Sequence, residues 1–171
     1  TALKAYSFSG SSWSTKASMS TGRAYFGAAV YDSKIYVFGG QSGSGSYDLT
    51  DSVEVYDPST NSWSNHTTIP ASNLADLGCS SCTSRFLAGS GYPILTTIVD
   101  TKIVISSLIA THKVSGGTHV TNGKILVYDV SGNSWSSGDY YSTNQKMYTS
   151  DSVAASSTKV YYSGSNSGSS N

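Results

Sequence analysis

One spacing occurs three times in this chain. Tyr6 and Trp13, Tyr56 and Trp63, and Tyr128 and Trp135 all stand seven positions apart. The text around them is nearly constant: YSFSGSSWS, YDPSTNSWS and YDVSGNSWS. A unit that recurs every few tens of residues cannot bury its apolar surface alone, so the copies must stack on one another. That constrains the fold before any local reading.

The first complete copy shows what the unit is. Arg23 to Val30 is a short run closed by Asp32-Ser33-Lys34; Ile35-Tyr36-Val37-Phe38 and the pair Gly39-Gly40 follow. A polar stretch, QSGSGSYDLTD, leads to Val53-Glu54-Val55-Tyr56, the turn Asp57-Pro58-Ser59-Thr60-Asn61, and Trp63. Runs of β-branched and aromatic residues between turn residues predict four short strands. IYVF, ILVY and VYY are almost continuously apolar, as expected of a sheet covered on both faces.

These residues resemble a kelch repeat. The apolar run before Gly39-Gly40, the later Val-Glu-Val-Tyr-Asp-Pro, the gap to Trp63, and Met19 and Arg23 in the lead-in all match the family's pattern. The resemblance implies an all-β fold in which each repeat is one four-stranded blade of a propeller around a central channel. The second copy departs from it. Its strands are predicted at Pro93–Val99, Lys102–Ile109, Lys124–Asp129 and Asn133–Ser137, with Ser106-Ser107 in the double-glycine place and an insertion over 71–92. The third is cut to Ser152–Ser156 and Lys159–Ser163.

The layout is then about three blades, circularly offset: 1–15 as the second half of a blade, 23–66 and 93–137 as full blades, 152–171 as a first half. An ordinary closed propeller uses roughly 4 to 8 blades, and an open arc would bare more apolar surface than a monomer usually shows. Three arrangements satisfy this. The residues belong to a longer chain, two copies close a ring, or copies join head to tail.

Composition narrows the class of function. Net charge is zero and 12% of the 171 residues are charged, so no basic stripe suits nucleic acid. The longest apolar stretch, Ile103 to Ala110, is broken by serines and is too short to span a membrane. Asn65-His66-Thr67 is a glycosylation sequon. Cys79 and Cys82 are the only cysteines. No thioredoxin-like helix or second pair accompanies them, so a local disulfide is preferred over redox or zinc chemistry. Together these point to an extracellular setting.

A four-stranded meander puts alternate connections at opposite ends. The first set is tight (Asp32-Ser33, Pro58–Asn61, Asp100-Thr101, Ser131–Asn133) and the second is long (41–51, 64–92, 110–123, 138–150). Loops on a rigid scaffold carry binding, which makes Tyr47, Asp48, Arg85, Phe86, Tyr92, Tyr140 and Tyr141 the candidate contacts for protein or glycan, beside His112, His119 and Asp139. Exposed tyrosines suit that task, offering apolar area and a hydroxyl. His112 and His119 share a loop but are read as solvated, not as metal ligands. Asp57 and Asp129 are read as turn caps. No nucleophile elbow, metallopeptidase, P-loop or dinucleotide motif is present, so neither catalysis nor a cofactor is expected. The expected function is a non-enzymatic module that assembles by strand completion with other copies or with the rest of a longer propeller. Two alternatives stay open: a fragment of a secreted copper oxidase resembling galactose oxidase, and a fragment of a cytosolic kelch adaptor.

Overall fold

A computed structural model of the chain describes residues 2–43, 50–70, 94–107, 112–113, 119–120, 124–137 and 147–166. All of its regular structure is β. Strands β1 (Leu3–Ser7) and β2 (Ser12–Lys16) form a hairpin. β3 (Gly27–Tyr31), β4 (Lys34–Phe38), β5 (Ser52–Asp57) and β6 (Ser62–Thr68) form an antiparallel meander, the first blade. β7 (Leu95–Val99) and β8 (Lys102–Ser107) are followed by the small ladder of β9 (His112–Lys113) and β10 (His119–Val120). β11 (Lys124–Asp129) and β12 (Ser134–Ser137) then complete a second four-stranded sheet, the second blade. A last hairpin pairs β13 (Met147–Ala155) with β14 (Val160–Asn166).

The seven-residue spacing is a cross-strand register. Tyr6 lies opposite Trp13, Tyr56 opposite Trp63 and Tyr128 opposite Trp135. Four-residue loops set that register, and each ends on a residue in the left-handed region: Ser11 at φ 45°, Asn61 at 51° and Asn133 at 45°. The rings of each pair touch, with centroids 5.2, 5.2 and 4.8 Å apart. Such cross-strand pairs are the local unit of sheet stability.

Several strand limits differ from those the sequence suggests. β3 begins at Gly27 rather than Arg23. Tyr25 sits at φ 56°, and Ala24 instead forms an isolated bridge with Gln41. The place of Gly39-Gly40 in the second blade also moves by one residue. Lys102 matches Lys34, and Ser106 opposite Ile125 stands where Phe38 stands opposite Val53, so Ser106 falls at a strand position and not at a glycine. The last hairpin is longer than expected at both ends, with irregular pairing near Thr149 and Ser152.

The core lies between the two blades. The first presents Tyr36, Phe38, Val53 and Val55, and the second presents Ile103, Ile105, Leu126 and Tyr128, with Ile69 and Ile94 closing the cluster. Phe38 meets Tyr128 and Trp135 with ring centroids 6.2 and 6.1 Å apart. β7 lies between β3 and β13, so first strands neighbour first strands as propeller stacking requires. Gly27 permits the approach of β3 to β7: a Cβ there would lie 2.7 Å from Ile94 Cγ2 and 2.8 Å from Thr96 Cγ2. The Thr96 hydroxyl donates to the Ala28 carbonyl across the same gap.

The opposite face of the first blade, with Ile35, Val37, Glu54 and Tyr56, is crossed by the segment leading out of β2. The indole of Trp63 donates to the Ala17 carbonyl at 2.8 Å, and the Ala17 amide donates to Asn61 Oδ1 at 3.0 Å.

Candidate functional site

The two ends of the blades have different chemistry. At the short-turn end, polar groups are consumed locally. Asp32 and Ser33 both take positive φ, 48° and 59°, the pairing a two-residue primed hairpin turn demands. Asp57 Oδ1 accepts from the Ser59 amide and hydroxyl at 2.8 and 2.6 Å; Asp129 Oδ1 accepts from Ser131 N, Ser131 Oγ and Gly132 N at 3.0, 2.7 and 3.2 Å. The other carboxylate oxygens meet Lys34 at 3.4 Å and Lys102 at 3.0 Å. The Ser59 hydroxyl and amide bonds hold the Asp57 carboxyl below its ordinary range, and the Ser131 and Lys102 bonds do the same for Asp129. They are turn caps, as the sequence reading held, with each carboxylate oxygen engaged by at least one partner.

The opposite end carries the long connections: 39–51, 69–94, 108–123 and 138–146 all leave from it. The root of the first is rigid. Gly39 and Gly40 take φ of 59° and 95°, and a Cβ on Gly40 would lie 2.7 Å from the Ala24 carbonyl oxygen. Arg23, buried, donates to the Gly39 carbonyl at 2.9 Å, to the Ser52 carbonyl and hydroxyl at 3.0 and 2.8 Å, and to Glu54 Oε1 at 2.5 Å. Burial alone would raise the Glu54 carboxyl. The Ser20 hydroxyl and amide, at 2.7 and 3.0 Å, together with Arg23, outweigh it and hold the group below its usual range. A buried charge is tolerated only when paired and hydrogen-bonded in this way.

Tyr47, Asp48, Arg85, Phe86, Tyr92, Asp139, Tyr140 and Tyr141 lie outside the described residues, as do Cys79, Cys82 and the 71–92 insertion. Of the remaining candidates, Asn65 is exposed on β6, the outer edge strand of the first blade. On the β9–β10 ladder His112 is level with Val120 and His119 with Lys113, so the two histidines are not cross-strand partners. Among the described residues no group of three or more metal-ligating side chains comes together, and no helix is long and apolar enough to cross a membrane.

Three features escaped sequence reasoning. Asn61 and Asn133 accept from the Tyr56 and Tyr128 hydroxyls at 2.8 and 2.7 Å; the spacing Tyr-x-x-x-x-Asn in YDPSTN and YDVSGN carried that signal. Glu54 as the partner of Arg23 had a weaker one, a lone acid in an apolar strand. His66 had none beyond the sequon. Its Nε2 lies 2.5 Å from the Tyr128 hydroxyl oxygen, linking the first blade to the second.

Comparison with known proteins agrees with this architecture. Residues 22–65 match the kelch motif. An F-box/kelch-repeat protein of Arabidopsis thaliana is 41% identical over 86 residues, which is 50% of this chain and 17% of that one. Kelch-like protein 40 of Xenopus laevis is 41% identical over 58 residues, 34% of this chain and 9% of that one. Beta-scruin of Limulus polyphemus is 36% identical over 58 residues, again 34% of this chain and 6% of that one. The chain thus spans under a fifth of the curated relatives it matches. In fold it is similar to the solved structure of YjhT, with a TM-score of 0.52 at 18% identity, covering 80% of this chain and 44% of that one. Residues 22–65 carry a kelch motif, and the Tyr–Trp register and stacked four-stranded antiparallel sheets show an all-β fold whose repeats are laid out as kelch-type blades of a β-propeller.

Proposed function

We propose that this chain is a non-enzymatic, protein-binding segment of a kelch propeller, contacting its partner with the long-connection end. The observation that carries this reading is the asymmetry of the two ends. One is closed by two- and four-residue turns whose carboxylates are already bonded, and the other bears every long connection. Free, varied loops on a fixed frame are where recognition resides. Replacing 41–51 or 138–146 by a short Gly-Ser turn should weaken a captured protein partner at least about tenfold, a loss of roughly 1.4 kcal/mol. Substitutions at Ser33, Ser59 and Ser131 should leave binding unchanged. Equal sensitivity at both ends would defeat the assignment.

The same reading includes assembly by strand completion, the β1–β2 hairpin of a second copy adding to the edge of β14 that has no strand partner among the described residues. Its support is a burial mismatch. Tyr56 and Tyr128 are 3% and 0% exposed, but Tyr6 is 41% exposed and Trp13 69%, in the same pairing geometry. Deleting 1–15 should abolish the assembled particle. Ser7→Asp should strengthen it, because Lys159 would then gain the partner that Lys34 and Lys102 have in Asp57 and Asp129. A truncated chain that forms the same particle, or a native mass far above 17.9 kDa per chain, defeats this part. An extracellular setting, glycan contact and a Cys79–Cys82 disulfide complete the proposal. The exposure of Asn65 supports the first, and a glycan on Asn65 in material from the native source is its test.

A further inference from the structure

We propose that a second copy of this chain covers the two half-open seams of the first, so that two chains close one ring about a two-fold axis. The proposal rests on the strand-completion reading above and adds a second contact, between β14 of one copy and the first blade of the other. Counterpart positions carry it. Where the two whole blades meet, Tyr36, Val53, Val55 and Ile103 are buried. Register gives each a counterpart at a seam with no whole blade beyond it. Tyr161 opposite Ala154 stands where Tyr36 stands opposite Ala29. Ile125 and Val127 stand where Val53 and Val55 do, and Ile35 stands where Ile103 does. Tyr161 is 57% exposed against 5% for Tyr36, and Ile125, Val127 and Ile35 are half-buried. Val30, opposite Ile35, is 61% exposed against 36% for Ile98, its counterpart in the second blade.

The two open seams complement each other. Beyond the second blade the inner half is covered: β13 lies beside β7, and Val104 on β8 is buried. The outer half, with Ile125 and Val127 on β11, is not. Before the first blade the outer half is covered: Tyr56 is buried, and the Trp63 indole donates to the Ala17 carbonyl. The inner half, with Val30 on β3 and Ile35 on β4, is not. One seam lacks what the β1–β2 hairpin offers, and the other lacks what β13–β14 offers. A β1–β2 hairpin set beside β14 brings Tyr6 and Trp13 against Ile125 and Val127, as Tyr128 and Trp135 lie against the first blade. The same step brings Tyr161 onto Val30 and Ile35 of the second copy. The match extends to volume. Val104, opposite Val127, stands where the first blade has Tyr36 opposite Val55. Phe8, two residues beyond Tyr6, stands where the second blade has Val130, which packs on the core. Bulk missing from the sheet is thus present on the hairpin, where Phe8 is 90% exposed and meets the Tyr6 ring edge-on at 5.4 Å. Volume-conserving exchanges of this kind keep a core packed, and they single out this hairpin as the occupant. Two whole blades and two halves per chain give six from two copies, within the roughly 4 to 8 that close a propeller, and three copies would overshoot.

The test is sedimentation of the full chain and two variants over a range of concentration. The wild type should reach twice the 17.9 kDa of one chain and stop there. Val30→Asp and Tyr161→Lys should each raise the dissociation constant of that dimer at least about tenfold, because each buries a lone charge in the seam. Both side chains are exposed in the single chain, so neither change touches its core. An equimolar mixture of the two variants should assemble better than either alone, since one seam is then unaltered and the other brings opposite charges together. A chain that stays monomeric at every concentration overturns the proposal, as does a ladder of species beyond the dimer. So does a native-source protein that is monomeric because further blades of its own chain cover these faces. A dimer indifferent to both variants overturns it too, and deletion of 1–15 then separates the two readings. If the deletion dissolves the particle, strand completion stands and the Tyr161 contact falls. If the particle survives, both fall.

Discussion

Tyr6 and Trp13 on the β1–β2 hairpin pair as Tyr128 and Trp135 do on β11–β12, with ring centroids 5.2 and 4.8 Å apart. Yet Tyr128 is fully buried and Tyr6 is 41% exposed. The hairpin geometry is thus local, set by a four-residue loop and a cross-strand pair, and it forms whether or not anything covers it. Burial is not local. It comes from the neighbouring blade, whose Tyr36 and Phe38 lie against Tyr128. Full burial of a large apolar side chain is worth about 1.5–3 kcal/mol and a good ring contact about 0.5–1.5 more. The first amount is what the β1–β2 hairpin lacks.

The comparison breaks most sharply at the tyrosines themselves. Tyr128→Ala should cost about 3–5 kcal/mol in urea denaturation, from lost transfer energy and the cavity left behind. Tyr6→Ala should cost only about 0.5–1.5 kcal/mol in dilute solution, the worth of its ring contact with Trp13 without the burial term. If the Tyr6→Ala cost rises with protein concentration, a second copy covers that ring, because anything that binds only the folded form stabilises it by mass action. A large cost at every concentration would mean that the β1–β2 hairpin is already buried within one chain.

The second contrast is between the blades. Glu54 in the first is matched by Leu126 in the second, and in the sequence Gly91 falls at the offset where Arg23 stands. One blade anchors its lead-in with a buried ion pair, and the other has lost both members. Glu54→Leu should therefore cost about 3 kcal/mol, since it strands a buried guanidinium. Arg23→Met with Glu54→Leu should recover about 2 kcal/mol of that in a double-mutant cycle. Recovery is incomplete because the Gly39 carbonyl loses its Arg23 donor, the Ser52 carbonyl keeps only the Gly39 amide, and the Ser20 amide and hydroxyl lose Glu54 as acceptor. The pair also has a pH signature. A carboxyl held below its ordinary 4.5 in the folded state stabilises above that pH, and the stabilisation fades as pH falls through the lower folded value. Acid unfolding below pH 4.5 should be less steep in the double variant. Identical acid limbs would place the ion pair outside the acid transition.

These contrasts show what the sequence could and could not disclose. The Tyr–Trp spacing, the turn residues and the covered strands IYVF and ILVY were legible because local geometry repeats in local text. Arg23 was legible as part of the lead-in pattern, but its bond to Glu54 spans 31 positions, and nothing in a string pairs them. The position of Ser106 was misjudged because a one-residue register shift leaves composition unchanged. His66 was invisible as a seam residue, since the β-bulge that holds it between Asn65 and Thr67 is a property of two strands together and not of either alone. The long loops were legible only as lengths.

The smallest effect is the most direct repair of the comparison. Asn61 and Asn133 each close a loop in the left-handed region and accept a tyrosine hydroxyl. In the β1–β2 hairpin that place holds Ser11 at φ 45°, whose short side chain offers no carbonyl to the Tyr6 hydroxyl. Asparagine tolerates this conformation better than most residues, and the hydrogen bond it would make is worth about 0.5–1.5 kcal/mol net. The upper part of that range is excluded, because Tyr6 is partly wet and water already competes for its hydroxyl. Ser11→Asn should thus raise hairpin stability by about 0.5 kcal/mol, read as slower amide exchange across Ser7 and Ser12, the pair that closes the loop. Tyr6→Phe with Ser11→Asn should erase the gain while leaving the loop conformation in place. If the gain survives Tyr6→Phe, the benefit is conformational and the hydroxyl bond contributes nothing. If Ser11→Asn brings no gain, the tyrosine–asparagine bonds of the two blades depend on burial as much as the rings do.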